Sequence, residues 1–192
     1  MRVAVSGSHS TGKSTLIAAF LAKCPQYVQE PEAYEELADD IALLTSEGPD
    51  IDGLTALLVH TVSTVGRHGP GAAVIFERSP VDYLAYAIAT RSIARTDRGE
   101  FMRSYVPMVR GAVRSLDLIA LLPASTGGRV LSRPHEDERF RQRVDEELRR
   151  ALIDDDYDLF GGDSAPRVVE LSAAPDRQLS DLVRYTAEGG QP

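Results

Sequence analysis

The 192-residue sequence has no tryptophan, a single cysteine and only two lysines among its 21 basic residues. One cysteine, Cys24, excludes an internal disulfide framework; at the end of a helical pattern it reads as a packed thiol. No apolar run approaches the roughly 18 residues that a membrane-crossing helix needs. The first strand pattern begins at residue 2, which leaves no room for a signal peptide. A cytoplasmic protein with no membrane partner is therefore expected. A net charge of −8 and a pI near 5.0 speak against a broad nucleic-acid-binding surface, so no nucleic-acid partner is expected. No Cys/His spacing suggests zinc. The scarcity of lysine is informative in another way. A chain that uses 19 arginines still places lysine at position 13, where a compact point charge suits phosphate oxygens.

What surrounds Lys13 explains it. Gly7-Ser8-His9-Ser10-Thr11-Gly12-Lys13-Ser14 fits G-x-x-x-x-G-K-[ST], the phosphate-binding loop. Both flanks suit the motif: a β-branched run from Val3 precedes it, and Leu16, Ile17, Phe20 and Leu21 recur at helical spacing after it. Gly7 and Gly12 permit backbone shapes that a side chain would block. Successive N–H groups can then form an anion nest at a helix N-terminus, drawing Gly7, Ser10, Thr11, Gly12, Lys13, Ser14 and Thr15 onto a nucleotide. Lys13 neutralises the β- and γ-phosphates in this reading, and the Ser14 hydroxyl ligates Mg²⁺.

The remaining pattern alternates strands and helices. Gln26–Gln29 reads as a strand ending at Glu30-Pro31, followed by a helix from Glu32 through Leu44 and a turn at Gly48-Pro49-Asp50. A helix marked by Leu54 to Val65 leads to an apolar strand, Ala72 to Phe76, that ends at Glu77-Arg78-Ser79-Pro80. Helices around Val81–Ile93 and Phe101–Leu116 precede a strand at Asp117–Pro123. A Gly/Ser-rich loop and an Arg-rich segment follow, helical from about Glu136, then a strand at Arg167–Leu171 and a helix at Asp176–Ala187. This order implies an α/β fold with a parallel sheet covered by helices on both faces. One domain is expected over 1–192, with a lid segment around 124–150.

In such sheets ligands bind beyond the carboxyl ends of the strands, which selects the candidates. Glu30 is the candidate to accept the proton of an attacking hydroxyl; the alternative is a carboxylate favouring the following helix dipole. Glu77 stands where an acid would hold Mg²⁺, and Arg78 where a guanidinium meets phosphate; the alternative is a surface Glu–Arg ion pair. Arg133, Arg139, Arg141 and Arg143 follow the Gly-rich loop. Arg133 and Arg141 are the candidates to close over the transferred phosphate, against the alternative of a charged helix face interleaved with acids. His9 reads as a loop position without chemistry. Tyr83 and Tyr86 read as core, with Asp82 or Tyr83 placed to face an acceptor.

Ser6 to Thr15, Glu30-Pro31-Glu32-Ala33, Glu77 to Tyr86, and Phe140-Arg141 with Val144-Asp145 together resemble the AAA-type ATPase/kinase domain typified by bacterial ribosylnicotinamide kinases. The Glu-Pro and Glu-Arg-Ser segments are similar to those of deoxynucleoside kinases. The resemblance implies a P-loop, nucleoside/nucleotide-kinase-like sheet of five strands in the order 2-3-1-4-5, with an Arg-rich lid. It implies Mg-ATP as donor, a small hydroxyl-bearing acceptor, Glu30 as base, Arg78 on phosphate, and a loop reaching Ala174 and Pro175 beside adenine. The expected activity is transfer of the γ-phosphate of ATP to a nucleoside or ribosylnicotinamide-like hydroxyl, with a homodimer compatible. A regulatory ATP-binding module acting on a protein partner is the alternative; a polynucleotide 5′-kinase is disfavoured by the acidic charge.

Overall fold

The computed structural model describes residues 1–37, 44–45, 48–49, 51–90, 98–124, 138–162 and 164–189. In chain order the elements are β1 (Arg2–Ser6), α1 (Lys13–Lys23), β2 (Val28–Glu30), α2 (Ala33–Leu37), β3 (Leu44–Thr45), β4 (Gly48–Pro49), α3 (Ile51–Gly66), β5 (Val74–Glu77), α4 (Pro80–Ala89), α5 (Arg98–Val113), β6 (Leu118–Leu121), α6 (Glu138–Leu152), β7 (Arg167–Glu170) and α7 (Pro175–Glu188). Five strands form one parallel sheet in the order β2-β5-β1-β6-β7. Counted along the chain within that sheet, this is the expected 2-3-1-4-5.

Period-two alternation divides the strands' side chains between two cores. Val3 and Val5 of β1, Ile75 of β5, and Leu118 and Ala120 of β6 pack with Leu16, Ile17 and Phe20 of α1 and Leu182 of α7. Ala4, Val74, Phe76, Ile119 and Leu121 face the other way, against α3, α4, α5 and α6. β1 lies at the centre, and the phosphate loop leaves it between the two layers. α4 is buried along its whole length, consistent with its apolar sequence.

Several element boundaries differ from the sequence pattern, each for a local reason. Of the helix expected from Glu32 to Leu44, α2 covers Ala33–Leu37 and residues 38–43 lie outside the described ones, while Leu44–Thr45 pairs antiparallel with Gly48–Pro49, so the expected turn at Gly48 is one arm of a hairpin. The third sheet strand starts at Val74 because Ala72 N–H closes a turn onto Gly69 O at 3.2 Å. α4 stops at Ala89 because Thr90 adopts extended backbone (φ −67°, ψ 147°), and Arg143 Nε donates to the freed Ala89 carbonyl at 3.1 Å. Among the described residues no helix is long and apolar enough to cross a membrane.

Phe20 is fully buried in the core between α1 and the sheet and meets Tyr27 edge-to-face, with ring centroids 5.0 Å apart. Phe20→Ala is expected to cost about 3–5 kcal/mol, read by chemical denaturation.

Candidate functional site

The phosphate loop is shaped by two glycines with different needs. A Cβ on Gly7 would lie 2.8 Å from the Leu122 carbonyl oxygen, so the close approach of β6's end requires glycine. Gly12 has open space around it but a φ of 94°, a left-handed backbone that glycine adopts without strain. Between them Ser10 also has positive φ (60°), and Thr11 Oγ1 donates to Ser8 O at 3.0 Å. Lys13 opens α1 and curls back, its Nζ donating to Ser8 O at 2.7 Å. Burial, helped by the Arg78 charge, lowers the Lys13 pKa to about 7, with Asp82, Glu77 and Glu32 pulling the other way. Ser14 and Thr15 are exposed at the helix start.

Alternation decides what the strand ends present. Glu77 shares the Ile75 side of β5 and so faces α1, where Ser14 Oγ donates to its Oε1 at 3.0 Å. Burial raises the Glu77 carboxyl above its usual range and Glu32 adds to that; Lys13, the Ser14 hydrogen bond and Arg78 act against it. Among the described residues no cluster of three His, Cys, Asp or Glu side chains forms a metal cage. The Ser14 hydroxyl and Glu77 carboxylate instead form the sparse oxygen pair suited to Mg²⁺, which completes its shell with water and phosphate oxygens.

Glu30 stands in register with Phe76, and partners in a parallel pair share a face. Its carboxylate therefore turns to the α3 side, accepting from His68 Nε2 at 3.0 Å and Arg67 Nη2 at 3.4 Å. The carboxylate that reaches Arg78 is Glu32 and not Glu30: Arg78 Nε donates to Glu32 Oε1 at 2.7 Å. Pro31 ends the strand, and Glu32, released from the ladder, swings across the sheet's edge. The signal was the second acid of Glu30-Pro31-Glu32.

Arg78 itself has φ 75°, a conformation costly for a residue with a side chain. Its backbone N–H still bonds Val5 O at 3.0 Å, and its Nη1 donates to the Gly7 carbonyl at 3.1 Å. The guanidinium lies 5.0 Å from the Tyr86 ring centroid and 6.0 Å from that of Tyr83. His9 Nδ1 comes within 3.2 Å of the Tyr86 hydroxyl, so His9 is tied to α4. Asp82, fully buried, accepts from Gly7 N–H at 2.9 Å and from Ser79 N–H at 2.8 Å. The Ser-Pro-x-Asp spacing of a capping box was the signal for it.

Of the Arg-rich segment, Arg133 lies outside the described residues. Arg141 pairs with Glu138 at 3.4 Å and acts on Asp145, which α6 directs towards Ser8 and Lys13. Burial holds the Asp145 carboxyl above its usual range, against the pull of Ser8, Arg141 and Lys13. Ala174 and Pro175 open α7, with Ala174 N–H donating to Ser172 Oγ at 3.2 Å. α7 packs on α1, so this loop borders the same edge of the sheet.

No protein-family model matches the chain, and no curated protein matches it. Solved structures do. A deoxyadenosine kinase from M. mycoides, with products dCMP and dCDP bound, aligns with a TM-score of 0.67 at 15% identity, covering 98% of this chain and 100% of that one. The same enzyme with dATP aligns at 0.62 and 16% identity, over 97% and 99%. NadR protein in complex with NR aligns at 0.69 and 19% identity, over 97% of this chain and 50% of that one. The chain thus spans about half the length of NadR.

The lowered Lys13 pKa has a measurable consequence. Above about pH 7 the free protein holds Lys13 largely unprotonated, whereas a bound triphosphate draws the proton back. Nucleotide binding near pH ~8 is expected to take up about one proton, and affinity to fall as pH rises above about 7. Calorimetry in buffers of differing ionisation heat measures the uptake, and Lys13→Met should abolish it.

Proposed function

We propose that this chain, which has the P-loop kinase fold, is a small-molecule kinase that transfers the γ-phosphate of ATP to a hydroxyl of a nucleoside or ribosylnicotinamide-like acceptor. The observation that carries this reading is the Glu32–Arg78 pair set beside the phosphate loop, with Arg78 bonded to Gly7 itself. A site that only bound or hydrolysed ATP as a switch has no need of an acid and a guanidinium held together at the acceptor side. The dATP and NR bound by the neighbouring structures support a nucleotide donor and a riboside acceptor.

In this reading the loop amides and Lys13 bind the β- and γ-phosphates, and the loop from Ser172 to Pro175 flanks the base. Mg²⁺, held by Ser14 and Glu77, neutralises phosphate charge when bound. Glu32 takes the proton of the acceptor hydroxyl as its oxygen bonds to the γ-phosphorus. The bond from that phosphorus to the β–γ bridging oxygen breaks, and ADP leaves. Arg78, charged at any working pH, and Arg141 stabilise charge on the transferring oxygens, with Arg133 as a further lid residue. Because catalysis here is positioning and charge stabilisation, the residues need little intrinsic reactivity.

Glu32→Gln is expected to lower transfer by roughly 100-fold or more while leaving affinity for an ATP analogue within ~3-fold. Glu30→Gln, which loses only its bonds to Arg67 and His68, is expected to stay within ~3-fold of wild-type turnover. Steady-state assays with deoxyadenosine and ribosylnicotinamide read both. Undiminished turnover in Glu32→Gln contradicts the assignment.

A further inference from the structure

We infer that Asp82 is a positioning residue that sets the phosphate loop and Arg78 in register with each other, through one oxygen reserved for that purpose. The inference rests on the kinase reading above for its consequence, not for its geometry.

The two carboxylate oxygens of Asp82 do different work. Oδ2 accepts from Ser79 N–H at 2.8 Å and from Ser79 Oγ–H at 2.9 Å, closing the cap of α4. That alone satisfies the helix terminus. Oδ1 is turned away from the cap. It accepts from Gly7 N–H at 2.9 Å and lies 3.8 Å from Arg78 Nη1. Arg78 Nη1 in turn donates to Gly7 O at 3.1 Å. Both polar groups of Gly7 are therefore held, one by Asp82 and the other by the arginine that Asp82 faces.

This ring matters because neither partner is fixed by packing alone. Gly7 has no side chain to anchor it, and the nearness of Leu122 O forbids one. Arg78 sits in a left-handed backbone that needs compensating bonds to persist. A carboxylate with no solvent exposure is retained only when all its neighbours donate to it, as they do here. Since Gly7 N–H is committed to Asp82, phosphate is bound by amides further along the loop. Loss of Oδ1 should therefore disturb the alignment for transfer more than the affinity for ATP.

Asparagine at 82 keeps the shape but offers an NH₂ in place of one oxygen, opposing a donor either at Gly7 or at Ser79. Asp82→Asn is expected to lower kcat roughly 10–100-fold with KM for MgATP within ~3-fold. Ser79→Ala removes part of the α4 cap and leaves Oδ1 in place; its Tm should fall while kcat stays within ~3-fold. A kcat loss in Asp82→Asn no larger than in Ser79→Ala, or an effect on KM for MgATP alone, overturns the inference. If Asp82→Asn does not fold, Asp82→Glu replaces it: a comparable kcat loss supports the inference and wild-type kcat overturns it. If the wild type phosphorylates neither ribosylnicotinamide nor deoxyadenosine, the kinase reading fails by itself. Basal ATP hydrolysis in the same variants then decides the inference by the same comparison, and a wild type without either turnover overturns both.

Discussion

The pairing of β1 with β5 on one side and β6 on the other is the constraint on which the site depends. Side chains alternate with period two, so the register of these strands decides which residues meet the phosphate loop. Ser6 falls on the α4 side and bonds Ser79 Oγ at 2.9 Å, while Glu77 falls on the α1 side and receives Ser14. A slip of one residue would exchange the two faces and separate both contacts. The two apolar cores enforce the register, since the same slip would turn Ile75 and Phe76 into each other's layer.

On this frame sits a charge cluster drawn from separate stretches of chain. Lys13 and Arg78 lie among Glu32, Glu77 and Asp82; burial is the largest influence on Lys13 and Glu77, with the neighbouring charges adding to it or opposing it. The two cations are held by different means. Lys13 is tied to the loop's own Ser8 carbonyl, a bond that phosphate can replace. Arg78 is held by Glu32, the Gly7 carbonyl and two aromatic rings. In the proposed reading the loop would supply the donor half and the β5–α4 corner the acceptor half; Gly7 is bonded by residues of that corner, Asp82 and Arg78.

The strand–helix alternation and the phosphate loop were legible because their signals are local: glycine spacing, apolar runs and helical periodicity; the order of the strands came from the family resemblance instead. The position of Glu77 and Arg78 beside the loop was legible for the same reason, since both stand directly after a buried apolar run. Glu30 and Glu32 were not separable. Both are acids flanking Pro31. Glu30 is the last residue of β2, in register with Phe76 and turned to His68 and Arg67, while Glu32 lies beyond the strand and reaches Arg78. The local sequence does not carry that difference. Asp82 was half-legible: its spacing from Ser79 announces a helix cap, but the second oxygen's bond to a residue 75 positions away does not appear in any local pattern. The β3–β4 pairing went unread because Leu37, Ile41 and Leu44 also satisfy helical spacing.

The most direct measurement of the account is stoichiometric: ADP formed against phosphomonoester formed, with ribosylnicotinamide and deoxyadenosine each offered as acceptor in the presence of Mg-ATP. One acceptor is expected to stimulate turnover saturably, with each ADP matched by one phosphorylated acceptor. ADP released with inorganic phosphate at a rate indifferent to either acceptor would contradict it.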